Sequence, residues 1–282
     1  MKNIGYYNGK SGLIEDMTIP MNDRACYFGD GVYEATCAKN RVVYLADEHI
    51  DRLFNNCGLV DIQPPCTKTE LKKLLFDLLA QVDDGDCFVY WQVSRATAKR
   101  NHLYPAGIPS NLYITIVPQP LVDLDKKIKL ITMEDTRFLH CNIKTLNLLP
   151  SVLYSQRAEE AGCQECVLHR GGRVTECAHS NVSILKNGKF RTAPTDCHIL
   201  PGIARAHIIK ACKKLEIPVD ETPFTLQELR EADEIIVSSS SKFCLSGCEL
   251  DGKPAGGKAA DLLAAIQRDV LAEFMRGVGL EE

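Results

Sequence analysis

Two prolines, Pro118 and Pro120, with Gln119 between them, close a run of strand-like sequence and are followed by Leu121-Val122-Asp123. A proline has no backbone N–H and fixes its own φ, so a sheet ladder stops where two of them stand this close. Apolar strand patterns lie on both sides of the break, so the chain has to build two cores. Its 282 residues fit that division, given roughly 100 to 200 residues per domain. The sequence therefore predicts a small N-terminal α+β domain over 1–118, a linker over 119–124, and a larger C-terminal α/β domain over 125–282.

Within the first part, Gly31 to Cys37 alternates like a strand, Asn40-Arg41 reads as a turn, and Val42-Val43-Tyr44 returns. A helix is predicted from about Asp47 to Cys57, which sets His49 and Arg52 on one face. Thr67-Lys68-Thr69-Glu70 matches a capping box ahead of Leu71, Leu74, Leu75, Leu78 and Leu79, giving a helix to about Gln81. Cys87–Ser94 and Leu112–Val117 read as strands. Beyond the linker the pattern predicts a strand near Lys129–Met133 and a helix from Pro150 to about Ala161. A hairpin at Asn187-Gly188, a helix over Ile203–Lys214, a strand over Glu234–Ser238 and a C-terminal helix from about Lys258 complete it.

The formal net charge is −4, with no block of lysine and arginine. No nucleic-acid partner is expected from that balance. No stretch reaches the ~20 apolar residues of a membrane helix, and the first residues lack the apolar run of a signal peptide, so a cytoplasmic location is expected. Thirteen cysteines, an odd number scattered along the chain, do not resemble a disulfide framework and read as small buried side chains. Cys163-Gln164-Glu165-Cys166 and the looser pair Cys244 and Cys248 are the only spacings that suggest thiol or metal chemistry. Cys166 opens an apolar strand-like run, which favours packing over ligation, and no metal site is expected.

Lys144 stands in the mostly apolar stretch Ile143-Lys144-Thr145-Leu146-Asn147-Leu148-Leu149. An amine in such a setting is a candidate Schiff-base nucleophile, although a lone lysine more often solvates its head. Glu176, in Val174-Thr175-Glu176, is a lone acid further along the chain. Leu200-Pro201-Gly202-Ile203-Ala204 puts a glycine at the mouth of a predicted helix, where free N–H groups and the helix dipole suit a phosphate. Ser238-Ser239-Ser240-Ser241 offers hydroxyls at a strand end, and Arg100-Asn101-His102 could bind a carboxylate. A single cofactor, pyridoxal 5'-phosphate, uses a lysine, an acid for its ring nitrogen, a phosphate cup and a carboxylate-binding group together.

Five motifs in unbroken order between Asp23 and Phe243 then carry a resemblance. They are Phe28-Gly29-Asp30-Gly31-Val32-Tyr33-Glu34, His49-Ile50-Asp51-Arg52-Leu53, Arg100-Asn101-His102, Ile143–Leu149 and Thr175-Glu176. The chain resembles the class IV aminotransferases, the fold type IV pyridoxal phosphate enzymes, and most of all their D-amino acid-specific branch. The resemblance implies a two-domain α+β fold with the cofactor between the domains and a homodimer with shared active sites. It implies that Lys144 is the Schiff-base lysine and Glu176 the partner of the ring nitrogen. Arg52, Ile203, Ala204, Ser239 and Ser240 would form the phosphate site. Tyr33, Arg100 and His102 would bind the substrate carboxylate, the arginine and histidine coming from the neighbouring subunit.

The implied reaction is transamination between a D-amino acid, D-alanine foremost, and a 2-oxo acid such as 2-oxoglutarate. Cys177-Ala178-His179-Ser180 departs from the serine-rich D-specific pattern, and His179 is expected near the cofactor. Ala204 stands where a threonine is usual, and Pro201-Gly202 is closer to the branched-chain relatives. A branched-chain L-amino acid aminotransferase or an aminodeoxychorismate lyase of the same fold are the neighbouring alternatives. A cysteine-organised thiol or metal protein is the alternative from another class.

Overall fold

The computed structural model describes residues 1–280. The described residues form two compact units, one of 1–121 with 143–147 and 274–280, the other of 122–142 with 148–273.

The first unit is built on an antiparallel sheet of β1 (Ile4–Tyr7), β2 (Lys10–Gly12), β3 (Gly31–Lys39), β4 (Val42–Val43), β5 (Cys87–Ser94) and β6 (Asn111–Pro118), in the order β2-β1-β6-β5-β3-β4. A short helix, α1 (Arg24–Phe28), precedes β3. Asp23 caps it, and Gly29 ends it in the left-handed conformation at φ 59°. The helices α2 (Ala46–Leu59) and α3 (Lys68–Leu79) give their apolar faces to the sheet. Ile50, Leu53 and Cys57 of α2 and Leu71, Leu75, Leu78 and Leu79 of α3 share one core with Val89, Trp91, Val93, Ile114 and Ile116. The Thr67/Glu70 capping box is present with both of its hydrogen bonds, which satisfies two donors that a helix start leaves open.

The second unit is a mixed nine-stranded sheet. Its strands are β7 (Lys127–Glu134), β8 (Glu165–Arg170), β9 (Arg173–Cys177), β10 (Asn181–Lys186), β11 (Lys189–Thr192), β12 (Val219–Asp220), β13 (Glu234–Ser238), β14 (Leu245–Leu250) and β15 (Lys253–Pro254). The order is β12-β11-β10-β13-β14-β7-β8-β9, with β15 beside β14. Strands β14, β7 and β8 run parallel, and α4 (Leu149–Glu160) makes the crossover from β7 to β8. Tyr154 and Ala158 of α4 pack on Cys166 and Leu168 of β8. The remaining helices are α5 (Ile203–Lys214), α6 (Leu226–Arg230) and α7 (Ala260–Gly277).

The segment carrying Lys144, placed in the second domain by sequence, belongs to the first unit. Thr145 forms an antiparallel bridge with Val32, Tyr33 N–H donates to Lys144 O at 2.9 Å, and Leu146 N–H donates to Gly31 O at 3.0 Å. The segment thus extends the β3 edge. Gly31 makes this possible, because a Cβ there would lie 2.5 Å from Val93 O and 2.8 Å from Leu146 Cδ1. Such pairing between distant stretches leaves no local periodicity, and so the sequence does not display it.

All thirteen cysteines are free thiols, and most are buried. Burial raises several of them, Cys37, Cys57 and Cys166 to about 12, which keeps these thiols protonated.

Candidate active site

In the first unit, alternation along β3 sends Tyr33 and Glu34 to opposite faces. Tyr33 stacks on Tyr90 with centroids 5.5 Å apart, and Lys144 Nζ lies 4.2 Å from the Tyr33 ring centroid. The backbone bond between Tyr33 and Lys144 fixes the two side chains as neighbours.

Glu34 is fully buried on the other face. Its Oε1 accepts from Arg52 Nε at 2.6 Å, and its Oε2 from Arg52 Nη2 at 2.8 Å and lies 2.7 Å from His49 Nδ1. Burial pushes the Glu34 carboxyl up, but Arg52 and His49 outweigh it and hold the group at about 2. Burial lowers His49 in turn, against the pull of Glu34. The predicted common face of His49 and Arg52 therefore exists to grip an acid, and it sets the guanidinium of Arg52 by a bidentate fork. Sequence reading gave Glu34 no role of its own; an acid on the core face of a strand was the available signal.

Arg100 and His102 lie on an exposed stretch after β5. Both sit against Phe28, with Arg100 Cζ 5.1 Å from its ring centroid and the His102 ring 5.1 Å away. Within this unit the three expected carboxylate ligands are divided, Tyr33 beside Lys144 and the other two on Phe28.

In the second unit, Glu176 near the end of β9 is buried and accepts three hydrogen bonds. Arg137 Nη1 donates to Oε1 at 2.5 Å; Asn181 Nδ2 and Leu200 N–H donate to Oε2 at 3.0 and 3.1 Å. Burial raises the carboxyl to about 7, and Arg137 and the Leu200 amide pull the other way. Arg137 is itself held by Asp135 through Nε and Nη2 at 3.0 and 2.9 Å and by His198 O at 3.1 Å.

Asn181 gathers the rest. Its Nδ2 also donates to Leu200 O at 3.0 Å. A Cβ on Gly202 would lie 1.9 Å from Asn181 Oδ1, so only glycine fits. Gly202 is the N-cap of α5, whose start has no side-chain cap; Ile203 and Ala204 thus form the first turn, with backbone donors to offer. Asn181 also pairs with Ser238 at the end of β13, directly before the serine turn. There Ser239 Oγ accepts from Lys242 N–H at 3.2 Å, and Phe243 N–H donates to Ser239 O at 2.8 Å. Glu176, the α5 start and the turn with Ser239 and Ser240 are thereby brought to one residue. Asn181 and Arg137 were missed by sequence reading, because each acts through a fold contact with no motif around it.

His179 turns to a polar group of this unit. Its Nε2 is 3.0 Å from Lys242 Nζ and its Nδ1 3.4 Å from Ser155 Oγ. Lys242 Nζ also donates to the buried Glu165 at 2.7 Å, and Ser180 Oγ donates to the same oxygen at 2.9 Å. Among the described residues one mixed donor group, Asp196, Cys197 and His198, has ligand atoms within 4.8 Å of one another. The Asp196 carboxylate is already paired with Arg173 at 2.5 Å.

In the second unit, the uncapped α5 start, the serine turn and the buried Ser238 Oγ, which has no partner among the described residues, suit phosphate oxygens, and Glu176 suits a protonated ring nitrogen. In the first unit, the half-buried amine of Lys144 suits an aldehyde. Each set of donors, taken by itself, fits a part of a phosphorylated pyridine aldehyde.

The model of the amino-transferase class IV family matches residues 31–250, and the chain belongs to that family. It is thus an aminotransferase. A D-alanine aminotransferase of Listeria monocytogenes is 39% identical over 271 residues, 94% of each chain. One from Bacillus licheniformis is 33% identical over 279 residues, 96% of this chain and 99% of the relative. Among solved structures, the branched-chain amino acid aminotransferase of Escherichia coli superposes with a TM-score of 0.89 at 22% identity, covering 100% of this chain and 97% of that one. This last likeness is one of fold.

Proposed function

We propose that the protein is a pyridoxal phosphate-dependent aminotransferase that exchanges the amino group of a D-amino acid, D-alanine first, with a 2-oxo acid such as 2-oxoglutarate. The observation that carries this reading is the Lys144 amine held 4.2 Å from the Tyr33 ring by the pairing of its segment with β3. The identity to relatives named D-alanine aminotransferase supports the choice of substrate, as does Arg100-Asn101-His102.

When bound, the cofactor supplies an aldehyde that condenses with amines and a protonated ring that accepts electrons. Lys144 would hold the cofactor through its aldehyde, and its neutral Nζ would serve as the base that takes the proton from the substrate α-carbon and as the acid that gives it back. Glu176 keeps a proton on the ring nitrogen, and its three donors hold the carboxylate in position. Arg52, Ile203, Ala204, Ser239 and Ser240 bind the phosphate, with Glu34 orienting Arg52. Tyr33, Arg100 and His102 bind the substrate carboxylate, the latter two reaching the neighbouring subunit's site in a homodimer. The cytoplasm is the proposed location, consistent with thirteen free thiols. No helix among the described residues is long and apolar enough to cross a membrane.

A half-reaction screen tests the reading. The loaded enzyme is mixed separately with D-alanine, D-glutamate, L-leucine and aminodeoxychorismate, and the visible absorption and the product are followed. D-alanine is expected to bleach the absorption and yield pyruvate, and borohydride to fix the cofactor's mass on Lys144. A fast response to L-leucine with none to D-alanine, or pyruvate elimination from aminodeoxychorismate alone, would overturn it.

A further inference from the structure

Asp30 follows the left-handed Gly29 that ends α1, and its carboxylate is shared by two guanidinium groups. Arg24 Nε donates to Oδ2 at 2.6 Å, and Arg95 Nε lies 3.0 Å from both oxygens. Both arginines are buried, at 3% and 9% exposure, where a surface arginine would be solvated. Further donors of both arginines go to backbone carbonyls. Arg24 Nη1 donates to Asn101 O at 2.5 Å and reaches Leu103 O at 3.4 Å. Arg95 Nη1 and Nη2 donate to Asp61 O and Val60 O at 2.9 and 2.8 Å. The face of Arg95 carries the Tyr104 ring, with Cζ 3.6 Å from its centroid.

Two buried cations around one carboxylate are a costly arrangement, and hydrogen bonds to neutral carbonyls offset only part of the desolvation. What the arrangement gains is the location of one otherwise exposed segment. Arg24 grips the carbonyls on either side of His102, Tyr104 clamps the segment's end onto Arg95, and Arg100 and His102 are laid against Phe28 at its start. A five-residue exposed stretch with no secondary structure is thus held from below at three points.

We propose that the Arg24–Asp30–Arg95 cluster is the positioning device of the substrate-carboxylate segment, with Tyr104 as its clamp, and that it acts on the site of the neighbouring subunit. The inference rests on the reading of Arg100 and His102 as carboxylate ligands. Asp30 itself touches neither substrate nor cofactor. It sets where the two ligands stand, and a misplacement on the order of an ångström costs up to about a hundredfold in such sites.

The test compares Asp30→Asn, Tyr104→Ala and Arg100→Ala as loaded dimers, with D-alanine as the amino donor. Asp30→Asn is expected to raise KM roughly tenfold and Tyr104→Ala a few-fold, with kcat and the visible absorption of the resting enzyme kept. Tyr104 is exposed, so its variant folds even where Asp30→Asn does not. Hybrid dimers of Asp30→Asn with Lys144→Ala then decide which site the cluster serves. Their single competent site has Lys144 from the Asp30→Asn subunit and the segment from a subunit with Asp30 intact, so KM returns to normal. A KM still raised in the hybrid overturns the assignment to the neighbouring site. If Arg100→Ala raises KM while Asp30→Asn and Tyr104→Ala do not, the positioning inference fails alone. If Arg100→Ala leaves KM unchanged, the carboxylate reading beneath it fails.

Discussion

Arg137 Nη1 lies 2.5 Å from Glu176 Oε1, and both side chains are buried. The acid keeps a counter-charge, yet burial still raises it to about 7. An unfolded glutamate titrates near 4.5, so between these values the folded chain holds a proton that the unfolded chain has released. The stabilisation this gives is fully present below pH 4.5 and is lost as pH rises through about 7.

Glu176→Gln removes that loss. Relative to the wild type, the variant without cofactor is expected to gain about 3 kcal/mol of stability between pH 4.5 and pH 8, read as a difference in denaturant midpoints that grows in its favour as pH rises. Its turnover is expected to fall by roughly two orders of magnitude if Glu176 has the proposed role, because an amide would not hold the ring nitrogen's proton. Parallel stability curves for the two proteins would count against the perturbed carboxyl.

Gly202→Ala drives a methyl group into Asn181 Oδ1. Because Asn181 also holds Glu176 and Leu200, the expected result is a loss of about 1–3 kcal/mol in stability together with weaker cofactor retention. Equilibrium dialysis of the cofactor alongside thermal melts checks both; a melt shift with unchanged retention would separate the helix start from the binding site.

Glu34→Gln breaks the fork that sets Arg52. The wild-type group sits at about 2 when folded, so its stabilisation is present above pH 4.5 and is lost as pH falls through about 2. The variant is expected to lose about 3–5 kcal/mol at pH 7 and progressively less at lower pH. Chemical denaturation at pH 7 and pH 3 measures the difference.

Lys242→Met cuts the tie between the serine turn and the buried Glu165. With Ser239 no longer fixed from that side, the cofactor is expected to leave several-fold faster, while borohydride trapping at Lys144, the proposed Schiff-base lysine, is expected to persist. Stopped-flow transfer of the cofactor to an acceptor apoenzyme reads the rate. An unchanged rate would show that the turn holds its shape through the Ser239 backbone and hydroxyl bonds alone.

What was legible in the sequence is what a local pattern encodes. The α2, α3 and α5 helices, the β5 and β6 strands and the β10–β11 turn at Asn187-Gly188 appear where periodicity, the Thr67/Glu70 box and the turn residues put them. The hairpin of β1 and β2 and the short α1 were not read, because they are too brief to show a period. Lys144 and Glu176 were legible as candidates, an amine in an apolar run and a lone acid. The groups that hold Glu176 and Arg52, namely Arg137 and Asn181 for the first and Glu34 for the second, were not, since each is an ordinary polar residue until the fold brings its partner.

The bridge between Val32 and Thr145 ties the proposed base and the proposed substrate tyrosine to a single register. A slip of one residue in that pairing would turn Lys144 to the other face, away from Tyr33, whose own register is set by β5. Changes of substrate in such a chain are therefore channelled away from this strand pair and towards parts that can vary without disturbing it, the stretch around Arg100 first among them. The lysine is held in position by a neighbour's backbone, and specificity is left to groups outside that pairing.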